Sequence, residues 1–113
     1  MTDKQYTICV TEAQNYTDRD AYISDLALSS IFGDLPGEDI PPARLEQLGS
    51  IYDAVHRSVK DIAAAAGLSQ RKLAERFCIP YRTVENWCGG HRECPDYVRL
   101  MMQELLGQLD RNA

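Results

Sequence analysis

The chain has 113 residues, with 12 lysines and arginines against 17 aspartates and glutamates, a formal net charge of −5 and a pI of about 4.9. That length suits one compact domain, or a small domain with an arm, and excludes a two-domain enzyme. With 44% hydrophobic and 26% charged residues the chain is neither disordered, collagenous nor membrane-embedded, and its average acidity argues against nucleic acid unless the charge is unevenly distributed along it.

Residues 6–10 (Tyr-Thr-Ile-Cys-Val) are rich in β-formers and predict a short N-terminal strand. Thr17 is placed to cap a helix, with Asp18 and Asp20 in a first turn that favours anions. Tyr22, Ile23, Leu26, Ile31 and Phe32 carry that helix at roughly helical spacing to Gly33. Residues 34–42 hold three prolines and a glycine and read as a linker. Pro42 suits the first turn of the next helix, where its missing N–H costs nothing, and Leu45, Leu48, Ile51, Tyr52 and Val55 form its apolar stripe. Ser58 caps a further helix that ends at Gly67, a residue suited to a left-handed C-terminal turn. Ser69 caps the next, through Phe77, and Cys78-Ile79-Pro80 form a turn. A short helix runs from Tyr81 to Cys88 and stops at Gly89-Gly90. Pro95 opens a last helix carrying Tyr97, Val98, Met101, Met102, Leu105, Leu106 and Leu109. The expectation is an all-α fold of roughly five or six helices with one short N-terminal strand.

Met1–Gln5 contain no basic stretch leading into an apolar core, and the longest apolar run, Ile62–Ala66, is far below the roughly 18 residues that span a bilayer, so the expectation is a cytoplasmic protein. Cys9, Cys78, Cys88 and Cys94 are then thiols. Cys88, His91 and Cys94 make a C-x2-H-x2-C cluster with Cys78 upstream, which suggests zinc. The spacing lacks paired C-x2-C knuckles, and free cysteines commonly serve as small buried hydrophobes, so no metal and no cofactor is expected. No phosphate loop, carboxylate pair or catalytic triad is present, and no enzyme is expected.

Counted by region, the charge divides. Residues 1–57 carry four basic side chains against ten acidic ones, a net of −6; residues 58–113 carry eight against seven, a net of +1. Within Ser69–Arg92 the net is +3, from Arg71, Lys72, Arg76, Arg82 and Arg92 against Glu75 and Glu85. This basic stretch is also the two short helices joined by a three-residue turn. Ala74 is small where such helices approach, and Leu73, Phe77, Ile79, Val84 and Trp87 supply the wedge between them.

Through Gly67-Leu68-Ser69-Gln70, Leu73-Ala74, Ile79, Val84, and Gly90-x-Arg92 followed by Pro95, the segment resembles the phage-repressor (Cro and XRE type) helix-turn-helix family over residues 59–106. The whole chain resembles small helix-turn-helix proteins of mobile elements. The resemblance implies a lambda-repressor-like helix-turn-helix bundle (58–113) behind an acidic helical extension (1–57). It also implies a recognition helix at about 81–88 entering the DNA major groove. By position, Gln70 approaches the backbone and an end base, and Tyr81, Arg82 and Asn86 lie on the outward face of the recognition helix. Arg pairs bidentately with guanine and Asn with adenine, while Tyr81 stacks on a sugar or thymine methyl, or donates to a phosphate. Arg71, Thr83 and Arg92 are candidates for phosphate contact, which positions the protein without specifying sequence. The plainer alternatives are that Arg82 pairs with Glu85 or Glu75, that Tyr81 packs on the Arg71 stem, and that Trp87 belongs to the core. Three residues depart from the family pattern: Cys78 where glycine is usual, Pro80 where a Ser or Thr cap is usual, and Ala63 where arginine is frequent. They bear on the entry angle of the recognition helix.

The leading function is thus a sequence-specific DNA-binding transcriptional regulator, a repressor, acting on double-stranded DNA as a homodimer. In the last helix Val98, Met101 and Leu105 are assigned to the domain and Met102, Leu106 and Leu109 to a dimer. The alternative is an antitoxin-like or inhibitor protein whose acidic N-terminal half captures a basic protein partner. A zinc module built on the Cys and His cluster is the third reading.

Overall fold

Helix begins at the third residue. Thr2 accepts from the Gln5 N–H at 3.1 Å while the Gln5 side-chain oxygen accepts from the Thr2 N–H at 2.8 Å. This reciprocal capping box starts α1, Asp3–Ala13. The expected strand over 6–10 is therefore wrong: those residues lie inside α1. Their β-propensity is overridden because helical phase puts Cys9 and Ala13 on one buried face, and the buried Tyr22 hydroxyl donates to the Cys9 carbonyl at 2.8 Å. The structure, a computed structural model, describes residues 1–33 and 37–109. Among them it contains helices and no strand: α1, α2 (Arg19–Ala27), a 3-10 turn (Ser30–Phe32), α3 (Pro42–His56), α4 (Val59–Ala65), α5 (Gln70–Phe77), α6 (Tyr81–Cys88) and α7 (Asp96–Leu105). The protein is all-helical. Among the described residues no helix is long and apolar enough to cross a membrane. The chain divides into two compact units, residues 1–55 and 56–109.

In the first unit, Asp18 rather than Thr17 caps α2, accepting from the N–H groups of Asp20 at 2.9 Å and Ala21 at 3.2 Å. A carboxylate there gains from the helix dipole as well as from the hydrogen bonds. The helix is shorter than expected and stops at Ala27. Ile31 and Phe32 belong to the separate 3-10 turn, which Ser29 starts by accepting from the Ile31 N–H. Gln5 donates to the Ile31 carbonyl at 3.1 Å, and the Arg44 guanidinium sits 4.3 Å from the Phe32 ring centroid. Of the expected linker 34–42, residues 34–36 lie outside the described residues, and Pro42 is the first residue of α3. Tyr22, fully buried, meets Tyr16 edge-on at 5.5 Å and Tyr52 at 5.6 Å. A side chain at Gly49 would press on the end of the Arg19 side chain, which lies across it and pairs with Asp53 at 2.9 Å. Burial pushes the Cys9 thiol up to about 11.

The second unit wraps α4–α7 around Val59, Ile62, Ala63, Leu73, Ala74, Val84, Cys94 and Met102. Each fully buried Val, Leu, Ile or Met side chain is worth roughly 1.5–3 kcal/mol relative to exposure, so this small set carries most of the driving force. Ser58 and Ser69 cap α4 and α5 by accepting from the N–H groups three residues on, each at 3.1 Å. Gly67, left-handed at φ 68°, ends α4 and lets the Leu68 N–H reach back to the Ala63 carbonyl at 2.9 Å.

The division of α7 matches the one expected at Val98 and is exchanged at Met101 and Leu105 against Met102 and Leu106. Met102 is buried, and Val98 and Leu106 pack with it against the core; Met101 and Leu105 are 54% and 67% exposed. The helix ends at Leu105, and Leu109 lies beyond it. Seven apolar residues cover more than one helix face, and the spacing i, i+4, i+8 of Val98, Met102 and Leu106 is the phase that points inward.

One polar side chain is fully buried in this unit. Gln103 accepts from Arg57 at 3.0 Å and donates to the Arg99 carbonyl at 3.2 Å. Arg99 in turn donates to the Arg57 carbonyl at 2.8 Å and the Cys94 carbonyl at 3.4 Å, and pairs with Asp96.

Candidate nucleic-acid interface

α5 and α6 are joined by only three residues, 78–80, and the local chemistry of that turn sets how they meet. Cys78 is left-handed, at φ 55° and ψ 39°. It is the one non-glycine residue with positive φ among the described residues. The conformation aims the Ile79 N–H back to the Ala74 carbonyl at 2.9 Å, and the Cys78 N–H donates to Glu75 at 3.3 Å. The carbonyls at the end of α5 are thereby satisfied. Pro80 then opens α6 with no side-chain cap, and the first α6 bonds go to its carbonyl, from Thr83 at 2.9 Å and Val84 at 3.3 Å. Phe77 and Ile79 flank the turn and pack against the core, as do Trp87 and Tyr81. Leu73, Ala74 and Val84 are buried between the helices. α5 and α6 therefore each spend one face on the core and leave the other outside.

The outer surface holds the seven residues singled out from sequence. Arg71, Arg82 and Arg92 are exposed; Gln70, Tyr81, Thr83 and Asn86 are half-buried. Thr83, Asn86 and Arg92 line one open cavity of about 640 Å³ together with Trp87 and Glu93. Its shape has a local cause. The N–H groups of His91 and Arg92 both donate to the Asn86 carbonyl, at 3.0 and 3.2 Å, which folds the chain after Gly90 back onto the end of α6. Arg71 and Tyr81 also come together, with the guanidinium 4.2 Å from the ring centroid. Gln70 stands at the first turn of α5 and is not among the residues that line the cavity. Arg82 has no ion pair with Glu85 or Glu75 among the described residues; Glu75 is engaged by Lys72 at 3.4 Å. Trp87 both packs against the core and lines the cavity, and Glu93 lines it too; sequence reasoning missed both as liners, because only the return of the chain at residues 91–92 brings them there.

The cysteine and histidine cluster is not gathered. Cys78 is exposed on the turn, His91 is exposed, Cys88 is half-buried and Cys94 is buried. Burial pushes the Cys94 thiol up to about 11 and raises Cys88 as well. Among the described residues no three His, Cys, Asp or Glu side chains are grouped to hold a metal ion. What the surface offers chemically is three exposed guanidinium groups, an amide, hydroxyls and a concavity beside one helix. Compared with known proteins, the chain matches no family model, no curated protein and no solved structure.

Proposed function

We propose that the protein is a sequence-specific DNA-binding transcriptional regulator, a repressor of lambda-repressor-like build, with α6 as the recognition helix in the major groove. The observation that carries this reading is the tightly turned α5–α6 pair. Its inner faces are committed to the core, and its outer face presents Arg71, Arg82 and Arg92 with no carboxylate paired to them among the described residues. Arg82 and Asn86 have the donor and acceptor geometry for guanine and adenine edges, and Arg71, Arg92 and Thr83 suit phosphate. The net −6 of residues 1–57 disfavours contact of that half with DNA. A net of only +3 in the motif supports weak binding by one copy, so two copies on a repeated half-site supply the affinity. The exposed stripe of Tyr97, Met101 and Leu105 on α7 supports such a homodimer.

The test is selection of bound duplexes from a random-sequence pool at physiological salt. Enrichment of a short sequence is expected, with affinity falling steeply as salt rises. A pool that stays random after repeated rounds refutes the reading. A basic protein held stoichiometrically by the net −6 N-terminal half would then support the inhibitor alternative.

A further inference from the structure

We infer that Tyr81 is a positioning residue for Arg71: its ring holds the guanidinium ready for a DNA phosphate, and it does not itself stack on DNA. The inference rests on the DNA-binding reading above. The guanidinium lies over the Tyr81 ring at 4.2 Å from the centroid, well inside the range of a cation–π contact. One face of the ring is thus covered by Arg71, and the ring also packs against the core cluster. The face that Arg71 covers is closed to a sugar or thymine methyl.

Stacking engages the flat face of a guanidinium and leaves its N–H donors, which lie in the plane of the group, free for a bidentate partner. The cation is therefore held without being used up. A free arginine side chain loses rotamer freedom when it binds, and one already held against a ring loses less.

The position of Arg71 in α5 is compatible with an anion beside it. Arg71 is the second residue of α5, at the positive end of that helix, where the dipole disfavours a cation. Among the described residues no carboxylate compensates it: its neighbour Lys72 takes Glu75. A phosphate against Arg71 and the α5 N-terminus would relieve that arrangement. Arg71 and Tyr81 sit on different helices, so the contact also ties the first turn of α5 to the first turn of α6.

The experiment is a double-mutant cycle on the full chain, using a fluorescent duplex recovered by the random-pool selection and a scrambled duplex of the same length. Tyr81→Phe keeps the ring and is expected to bind both within about twofold of the parent. Tyr81→Leu keeps apolar bulk and is expected to lose about three- to tenfold on both duplexes alike. Arg71→Ala is expected to lose a similar factor and to lower the salt slope by about one. Tyr81→Leu added to Arg71→Ala is expected to cost little more. An equal cost of Tyr81→Leu with and without Arg71 overturns the inference, and so does a changed base preference, which would make Tyr81 a reader of sequence. In the free protein, upfield ring-current shifts of the Arg71 side-chain protons should persist in Tyr81→Phe and vanish in Tyr81→Leu; their absence in the parent overturns the pairing itself. Failure of the parent chain to bind any duplex defeats the DNA reading and this inference with it, whereas tight binding with additive losses defeats this inference alone.

Discussion

Cys78 occupies a conformation that suits glycine, and exchanging it tests whether the α5–α6 turn is built as described. A side chain in the left-handed region costs roughly 1–2 kcal/mol, because Cβ crowds the following carbonyl. Glycine removes that cost but has more backbone freedom to lose on folding, about 0.5–1 kcal/mol. Cys78 is exposed, so little buried area is forfeited with the thiol. Cys78→Gly should therefore stabilise the second unit by a net of about 0.5–1 kcal/mol, a rise of several degrees in Tm. Two controls separate backbone from side chain. Cys78→Ala keeps the Cβ and should gain nothing, and Cys78→Asn should fall between, because asparagine tolerates the left-handed region. Urea unfolding in reducing buffer, followed by fluorescence, is the assay. The single tryptophan, Trp87, lies in the second unit, so the signal reports that unit. Equal midpoints for Cys78→Gly and Cys78→Ala would refute the left-handed turn and the α5–α6 arrangement that depends on it.

Arg82→Ala and Asn86→Ala should each weaken binding to a selected duplex by roughly 10- to 100-fold, the value of one bidentate base contact, and barely affect a scrambled one; fluorescence anisotropy with both duplexes checks this. Gln103→Leu should destabilise by roughly 1–3 kcal/mol in urea unfolding, since it removes the buried oxygen that accepts from the Arg57 guanidinium. A thiol reagent at pH 8 should label Cys78 rapidly and Cys88 slowly. Cys9 and Cys94, whose burial raises them to about 11 and keeps them as unreactive thiols at that pH, should react only in denaturant, as read by mass spectrometry of the modified peptides.

What was legible in the sequence was local chemistry. Ser58, Ser69 and Gly67 act at the ends of α4 and α5 through hydrogen bonds to near neighbours, so their roles follow from order along the chain. Cys78 and Pro80 stood out only against the family pattern, which has glycine and a Ser or Thr cap at those places. Residues 6–10 misled because Thr, Ile and Val favour strands, while the deciding forces were a Thr2–Gln5 capping box and the distant Tyr22. The first of these had a readable T-x-x-Q signal; the second had none. The phase of α7 was ambiguous, with seven apolar positions to choose from. Residue types on the candidate interface were legible, and the Arg71–Tyr81 contact was one of the alternatives they offered, but the cavity beside Asn86 arises from the 91–92 return.

The Arg57–Gln103–Arg99 bonds have a consequence for how the second unit closes. They join residues 42 and 46 positions apart, the start of the unit to its last helix. Helices as short as α4, α5 and α6 are marginal alone, and docking α7 closes a long loop of chain whose entropy cost these bonds help to offset. The clamp depends on a residue that precedes the Ser58 cap of α4. A fragment beginning at Ser58 would keep every core side chain of the unit and still lose this closure, whereas one beginning a residue earlier, at Arg57, would retain it.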